Sequence, residues 1–228
     1  MMISILKSRA EAELEMLAHD PYCALYLPLW KQDVAQSQYF YSADAHATRF
    51  YTSNSSWTPL GRHTTKNGEQ ASTPDHEAVL DIADAITLEI YMKLDAREAG
   101  KYPRIVSHKY EYSYDIHLSS GGVPAIGIMT AGGSGGVDSQ YSSQAVPLNR
   151  FTLVTSTYDS SDNTLRNYQD GLFINSKTHG YGGKIDIHPY TFYVGNMIGY
   201  TAFVFVYSRA LTPPEIEHHG RVARRLFP

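Results

Sequence analysis

Hydrophobic and polar residues alternate along two stretches of the chain, residues 85–94 and 111–119. A period of two is typical of a β-strand with one face on a hydrophobic core and the other on water or a ligand. Tyr91 falls on the polar face of the first stretch, and Asp115 and His117 fall on the polar face of the second. The residues predicted to face the core are Ile86, Leu88, Ile90, Met92, Leu94, Tyr112, Tyr114, Ile116 and Leu118.

A third stretch, residues 150–178, predicts two hairpins in series. Residues 151–158 are rich in β-branched and aromatic side chains and lead into a polar cluster of turn residues. Residues 165–169 return, Asp170-Gly171 supplies a two-residue turn, and residues 172–176 form the next strand. Because no room remains for a crossover helix, the three strands must pair antiparallel.

Helices are predicted only near the two ends of the sequence. Ser8 and Glu11 have the spacing of a capping box for a helix over residues 8–18, and Thr212 and Glu215 repeat that spacing before a C-terminal helix. The sequence therefore predicts an all-β protein, a two-sheet antiparallel β-sandwich with short N- and C-terminal helices. Further strands are expected over residues 23–27, 48–51, 76–82, 123–130, 185–188, 191–194 and 202–207, with a Gly- and Ser-rich loop over 131–144.

The strand predicted over residues 202–207, AFVFVY, is apolar on both faces, unlike its neighbours. A strand without a polar face is usually covered on both sides. We therefore expect something beyond the sandwich core to cover it. Phe203 and Phe205 are the candidate interface residues for an oligomer or for a capsid or tail assembly.

The composition narrows the classes of partner. Lys and Arg total 19 against 23 Asp and Glu, a net charge of -4 without a basic block, which argues against nucleic-acid binding. No segment approaches the roughly 18–20 apolar residues of a membrane span.

The N-terminus lacks the pattern of a signal peptide, so we expect synthesis in the cytoplasm, with the virion as a destination. The 18 tyrosines suit surfaces that meet sugars or proteins.

The order of these elements resembles the laminin G-like, or concanavalin A-like lectin and glucanase, jelly-roll family. The resemblance spans roughly residues 23–217 and implies a jelly-roll domain, which we place over residues 23–228 with a short C-terminal helix at its end. The N-terminal helical segment over residues 1–22 lies outside the part that resembles the family. Members of the family often bind calcium in loops at the rim of the sandwich. The matching pieces are residues 85–94 (AITLEIYMKL), 103–108 (PRIVSH), 150–159 (RFTLVTSTYD), 164–171 (TLRNYQDG), 191–195 (TFYVG) and, most specific, 206–216 (VYSRALTPPEI).

The carboxylates of the sequence argue against catalysis. The hydrolases of the resembling family carry Glu-x-Asp-x-x-Glu along one strand, and this sequence has no such run. Glu111 and Asp115 share a strand face, but four residues separate them by about 13 Å, beyond the roughly 5–9.5 Å between the two carboxyl groups of a glycosidase. Asp115 and His117 point to the same side of the strand. Together they could bind a ligand or a metal ion, or they could belong to a strand face that meets only water.

The turn after residue 158 offers hard oxygen atoms of the kind that Ca²⁺ prefers. The residues concerned are Asp159, Asp162 and Asn163. Ordinary turn hydrogen bonds from Asp and Asn side chains explain the same composition, so both interpretations stay open.

Two compatible functions follow. The first is a non-catalytic binding module, glycan-binding or adhesive, that presents Tyr91, Asp115, His117 and Tyr193 to a glycan or a protein partner. The second is a structural or surface subunit of a larger assembly, such as a decoration or tail-associated protein of a phage virion. The alternatives are a stand-alone calcium-dependent lectin and a glycoside hydrolase.

Overall fold

The structure is a computed structural model that describes residues 2–31, 39–52, 55–108, 113–131 and 137–227, with side chains from residue 7 onward. Helix α1 spans Met2–Ala18, helix α2 spans Pro213–Leu226, and a 3₁₀ turn spans Ala78–Leu80. The strands of the described residues are β1 Cys23–Pro28, β2 Tyr39–Tyr41, β3 Arg49–Thr52, β4 Ser56–Thr58, β5 Gly61–Thr64, β6 Ala71–Ser72, β7 Ala85–Leu94, β8 Arg104–His108, β9 Tyr114–Leu118, β10 Pro124–Met129, β11 Val137–Tyr141, β12 Phe151–Asp159, β13 Thr164–Gln169, β14 Leu172–Thr178, β15 Tyr193–Val194 and β16 Gly199–Tyr207.

Within the described residues, the strands form two sheets of eight strands each. The back sheet has the order β14-β13-β12-β7-β16-β5-β4, with β1 also paired to β16. The front sheet has the order β11-β10-β9-β8-β15-β6-β3-β2. Neighbouring strands pair antiparallel in both sheets. The predicted fold class, a two-sheet antiparallel sandwich with terminal helices, is confirmed.

The main hydrophobic core lies between the two sheets. Side chains of the back sheet that alternate along β7, from Ile86 to Leu94, meet Tyr114, Ile116 and Leu118 of the front sheet in one buried cluster. The prediction of the core-facing positions of β7 is therefore confirmed. In a β-sandwich the inner faces of the two sheets pack against each other, and the alternate residues of each strand point outward.

The outer face of the back sheet is covered by a second core, which α1 and α2 build. Leu14 of α1 and Ile216 of α2 are buried in it, together with Phe203 and Phe205 of β16. The two helices also contact each other, and an ion pair joins Glu13 to Arg225 with 3.1 Å between Oε1 and Nη1. Strand β16 is thus covered on both sides, as its apolar pattern predicted. The expectation that Phe203 and Phe205 form an interface with a partner is wrong, because helices of the same chain bury them.

A buried charged pair anchors α2 to the back sheet. The Glu89 carboxylate of β7 accepts a hydrogen bond at 2.7 Å from Nδ1 of His219 in α2 and one at 2.8 Å from the Thr155 hydroxyl. Glu89 is fully buried and His219 almost fully. The polar face of β7 is therefore buried against α2 and does not face solvent.

Three sequence predictions are corrected at the periphery of the sheets. Residues 185–188 do not form the predicted strand; Ile185 makes an isolated bridge with Thr130. Residues 76–82 do not form an edge strand but contain the 3₁₀ turn, in which the Leu80 amide donates to the Glu77 carbonyl at 2.9 Å. The buried positions of Leu80 and Ile82 are two residues apart and imitate a strand period. The Gly- and Ser-rich loop predicted over 131–144 instead contains β11, which pairs with β10 at the edge of the front sheet.

Candidate functional site

A row of side chains crosses the outer face of the front sheet. His117 of β9 lies opposite Arg104 of β8 and opposite Ala125 of β10, and Ala125 lies opposite Tyr141 of β11. Directly paired residues project from the same face of a sheet. The neighbouring positions 116 and 118 point into the core, so this row points away from it. Four adjacent strands thereby bring Arg104, His117 and Tyr141 together.

These side chains line a groove of about 200 Å³ together with Tyr102, which precedes β8. Tyr102 is 57% exposed and Tyr141 is 42% exposed, so both rings border the groove on its solvent side. His117 is only 5% exposed and lies deeper. We call this feature, lined by Tyr102, Arg104, His117 and Tyr141, the front groove. It combines aromatic surface with a guanidinium, an imidazole and a phenol hydroxyl.

A chain of hydrogen bonds fixes the imidazole of the front groove. His117 Nδ1 is 3.2 Å from Asp115 Oδ1, and His117 Nε2 is 3.2 Å from the Tyr141 hydroxyl. The two rings also meet edge to face, with 5.4 Å between their centroids. A carboxylate on Nδ1 favours the tautomer with hydrogen on that nitrogen, so Nε2 accepts from Tyr141. The ring orientation is therefore set before any ligand arrives.

Asp115 supports the groove from below. Its side chain is 1% exposed, and its Oδ2 is 3.7 Å from Arg104 Nε in a partly buried ion pair. Burial raises the pKa of Asp115, while the hydrogen bond and charge of His117 and the charge of Arg104 act in the opposite direction. Gly127 of β10 lies opposite Asp115 and makes room for it, since a Cβ there would stand 2.4 Å from Oδ1. Asp115 positions its two neighbours and does not itself reach the groove surface.

Tyr193 lies in the adjacent row of the same face. It pairs with Ser107 of β8, and Ser107 pairs with Asp115. Its ring is half-buried, and burial raises the pKa of Tyr193. The structure therefore brings three of the four predicted ligand-binding residues, Asp115, His117 and Tyr193, to one sheet face.

Tyr91 is the exception and is corrected here. It lies on the outer face of the back sheet, 1% exposed, in the second core beneath the helices. Its ring centroid is 5.2 Å from Phe151 and 5.3 Å from Phe203, and its hydroxyl donates to the Phe227 carbonyl at 3.3 Å. A ligand on the protein surface does not reach it, so the assignment of Tyr91 to a binding site is wrong.

The oxygens of the turn after β12 are engaged in local hydrogen bonds. Asp159 Oδ1 accepts from the Ser161 amide at 2.8 Å, and Asp162 Oδ1 accepts from the Thr164 amide at 3.0 Å. The remaining carboxylate oxygen of Asp162 pairs with Arg166, and Asn163 Oδ1 accepts from the Gly183 amide at 2.6 Å. These contacts are the turn chemistry that the sequence offered as the alternative to calcium. The Ca²⁺ site at Asp159, Asp162 and Asn163 stays a prediction of the sequence.

The described carboxylates that were candidates for glycoside hydrolysis are buried and do not line the front groove. Glu111, the predicted neighbour of Asp115, lies outside the described residues. Glu89 is buried against His219, and Asp115 is buried behind His117. Neither buried carboxylate borders the front groove.

Sequence reasoning missed three of the four residues that line the front groove. Tyr141 lies in the Gly- and Ser-rich stretch 131–144, whose composition predicts a loop. Arg104 opens a short strand, where a single charged residue carries no periodic signal. Tyr102 stands before that strand, in a segment with no regular pattern. Only the pairing of β8, β9, β10 and β11 assembles them.

The comparisons with known proteins agree with the fold. The model of the concanavalin A-like lectin/glucanases superfamily matches residues 65–217. Among curated protein sequences, none matches this one significantly. Neither described helix has the length and apolar content that crossing a lipid bilayer requires.

Solved structures with this fold include binding domains of clostridial toxins. The binding domain of paraclostridial mosquitocidal protein 1 superposes with a TM-score of 0.65 at 14% identity, covering 91% of this chain and 52% of that one. The binding domain of botulinum neurotoxin DC in complex with SialylT gives 0.68 at 10% identity, covering 89% and 52%. A structure of botulinum neurotoxin type C, described through its interaction with two ganglioside molecules, gives 0.64 at 10% identity, covering 93% and 53%. The chain thus spans about half the length of these solved chains, and at such identities the likeness concerns the fold alone.

Proposed function

The chain belongs to the concanavalin A-like lectin/glucanases superfamily, and we propose that within this superfamily it is a non-catalytic binding module whose front groove takes up a glycan. The observation that carries the proposal is the row of Arg104, His117 and Tyr141 across four strands, with Tyr102 beside it. Sugars present apolar ring faces and hydroxyl groups, so they are recognised by aromatic surface together with fixed hydrogen-bonding groups. The front groove offers both.

The preorganisation of His117 supports a binding role. Its Nδ1 is held by Asp115 and its Nε2 by Tyr141, so little rotational freedom is lost when a ligand arrives. Arg104 adds a guanidinium, which pairs well with carboxylates such as those of acidic sugars. Two structures of the same fold are described with SialylT and with gangliosides, which makes acidic glycans a sensible first ligand class.

The experiment is a glycan array on the folded chain, followed by titration calorimetry with the strongest ligand. Tyr141→Ala removes an aromatic wall and the hydroxyl, and we expect affinity to fall about tenfold or more, which is about 1.4 kcal/mol. Tyr141→Phe keeps the ring, and the loss of one hydrogen bond costs about 0.5–1.5 kcal/mol. Tyr22→Ala is the matched control, since Tyr22 is exposed outside the groove and contacts Arg209.

The same array, repeated with a chelator, separates the front groove from the calcium-dependent lectin alternative. Binding that survives the chelator and falls in Tyr141→Ala supports the groove. A blank array from folded protein, or equal affinity in Tyr141→Ala and wild type, contradicts it. Binding that disappears with the chelator and returns with Ca²⁺ but not with Zn²⁺ would assign the site to the turn of Asp159, Asp162 and Asn163. The role in a virion assembly stays a prediction of the sequence. One of its motives, the apolar strand, is covered by the chain's own helices.

A further inference from the structure

Three metal-ligating side chains converge at the rim of the sandwich, away from the residues that line the front groove. His76 and Asp81 flank the 3₁₀ turn Ala78–Leu80, and His108 is the last residue of β8. One nitrogen or carboxylate oxygen of each of the three lies within 4.8 Å of those of the other two. His76 Nε2 is 2.9 and 3.0 Å from the two oxygens of Asp81. The cluster has no role in the proposed glycan site.

His108 provides a second, independent observation. Its side chain is fully buried, and its Nε2 is 2.9 Å from the carbonyl oxygen of Tyr190. A carbonyl only accepts, so Nε2 carries the hydrogen and Nδ1 carries the lone pair. Among the described residues, Nδ1 has no hydrogen-bond partner although it is buried. An unsatisfied buried nitrogen is costly, and a cation would satisfy it.

The arrangement around His108 is the one that metal-binding histidines use. A ligating imidazole typically donates its second N–H to a carboxylate or a backbone carbonyl, which fixes the tautomer and the ring orientation. The Tyr190 carbonyl already does this for His108.

We propose that His76, Asp81 and His108 bind a divalent transition metal, with Zn²⁺ as the best fit. Two imidazoles and one carboxylate match the three-ligand sites of Zn²⁺, whereas Ca²⁺ and Mg²⁺ take oxygen ligands. Tetrahedral bonds of about 2.0–2.2 Å place ligand atoms about 3.3 Å apart. The ligand atoms of the cluster lie within 4.8 Å of one another, so a bound metal draws them inward, and His76 is the solvent-exposed member that can move. A water or an external group takes the fourth position.

Bound metal would tie three segments of the rim together. The 3₁₀ turn is already held by the Tyr114 hydroxyl, which donates to the Leu80 carbonyl at 2.8 Å. His108 links the end of β8 to the segment around Tyr190. A metal that binds His76, Asp81 and His108 would link the 3₁₀ turn directly to the end of β8 and, through His108, to the segment around Tyr190. The metal therefore stabilises the folded state, since it binds the native arrangement of ligands.

The test uses the full chain without an affinity tag, freed of metal by a chelator. Titration with Zn²⁺ against a competing chromogenic chelator should show one saturable site, and Tm should rise with zinc. His76→Ala and Asp81→Asn, both changes at the solvent side of the cluster, should each lower zinc affinity about tenfold or more. His46→Ala, at an exposed histidine outside the cluster, is the matched control and should bind like wild type.

Cobalt provides a second readout that does not depend on stability. Co²⁺ bound through two imidazoles and a carboxylate should give visible absorption bands, and these should be lost in Asp81→Asn. Equal zinc affinity in wild type, His76→Ala and Asp81→Asn would show adventitious binding and overturn the proposal. Folded wild-type protein that binds neither Zn²⁺ nor Co²⁺ would overturn it as well. Neither result depends on the glycan assay.

Discussion

The buried pair of Glu89 and His219 yields the sharpest test of how the helices are attached. Glu89 is fully buried, and His219 Nδ1 lies 2.7 Å from its carboxylate. His219→Leu would leave the buried carboxylate with the neutral Thr155 hydroxyl as its remaining hydrogen-bond donor among the described residues. Removing one partner of a buried pair costs about 3–5 kcal/mol, because the other charge stays buried and uncompensated. We expect a loss of that size in the free energy of unfolding.

A double-mutant cycle distinguishes this explanation from a simple packing effect. Glu89→Leu with His219→Leu removes both charges, so the double variant should lose less than the sum of the single losses, by about 0.5–3 kcal/mol. Equilibrium unfolding in urea, followed by tryptophan fluorescence, is a suitable assay because Trp30 lies in the second core with its ring 5.9 Å from Phe203. Single losses below about 1 kcal/mol, or strictly additive losses, would refute the reasoning.

The same pair predicts a pH dependence. Burial alone would lower the pKa of His219, but the Glu89 carboxylate outweighs it and raises the pKa above its ordinary value. The charged imidazole is therefore favoured in the folded state. Its contribution is complete below the unfolded pKa of about 6.5 and is lost as pH rises through the folded pKa. The difference in unfolding free energy between wild type and His219→Leu should thus shrink toward alkaline pH, and a constant difference would contradict the assignment.

Two further substitutions separate packing from binding. Tyr91→Ala should lower the free energy of unfolding by about 3–5 kcal/mol, because it empties part of the second core, while the glycan affinity of the folded protein stays unchanged in calorimetry. Gly127→Ala should both destabilise the fold, by about 1–3 kcal/mol, and weaken glycan binding, because a Cβ there stands 2.4 Å from Asp115 Oδ1; unchanged affinity in a folded variant would remove Asp115 from the supporting structure of the groove.

The alternation of apolar and polar residues was sufficient to predict the two sheets, but not that helices α1 and α2 cover the outer face of the back sheet. It correctly identified which side of β7 faces the main core. The same alternation does not distinguish whether the other side of β7 meets water or another element, and it therefore predicts a surface position for the buried Tyr91. The information needed was the pairing of Tyr91 with Phe203 on β16. The helices that cover β16 also cover β7, its neighbour in the back sheet, and Tyr91 is buried beneath them.

The candidate site was predicted in part, for a related reason. Asp115 and His117 are two residues apart on one strand, so local spacing revealed that they share a face. Arg104 and Tyr141 reach them only through strand pairing, and Tyr141 lies in a polar segment whose pairing with β10 overrides its loop-like composition. His76 and His108 likewise converge across the rim with no local motif. Long-range pairing, which a single sequence does not display, determines all of these contacts.

The most direct test of the central claim is to map where a glycan binds. Amide chemical shifts of the isotopically labelled full chain should be recorded while the strongest ligand of the array is added. We predict saturable shifts that concentrate at Tyr102, Arg104, His117 and Tyr141 and are lost in Tyr141→Ala. Shifts that concentrate instead at Asp159–163 or along α2, with the front groove unchanged, would contradict the account.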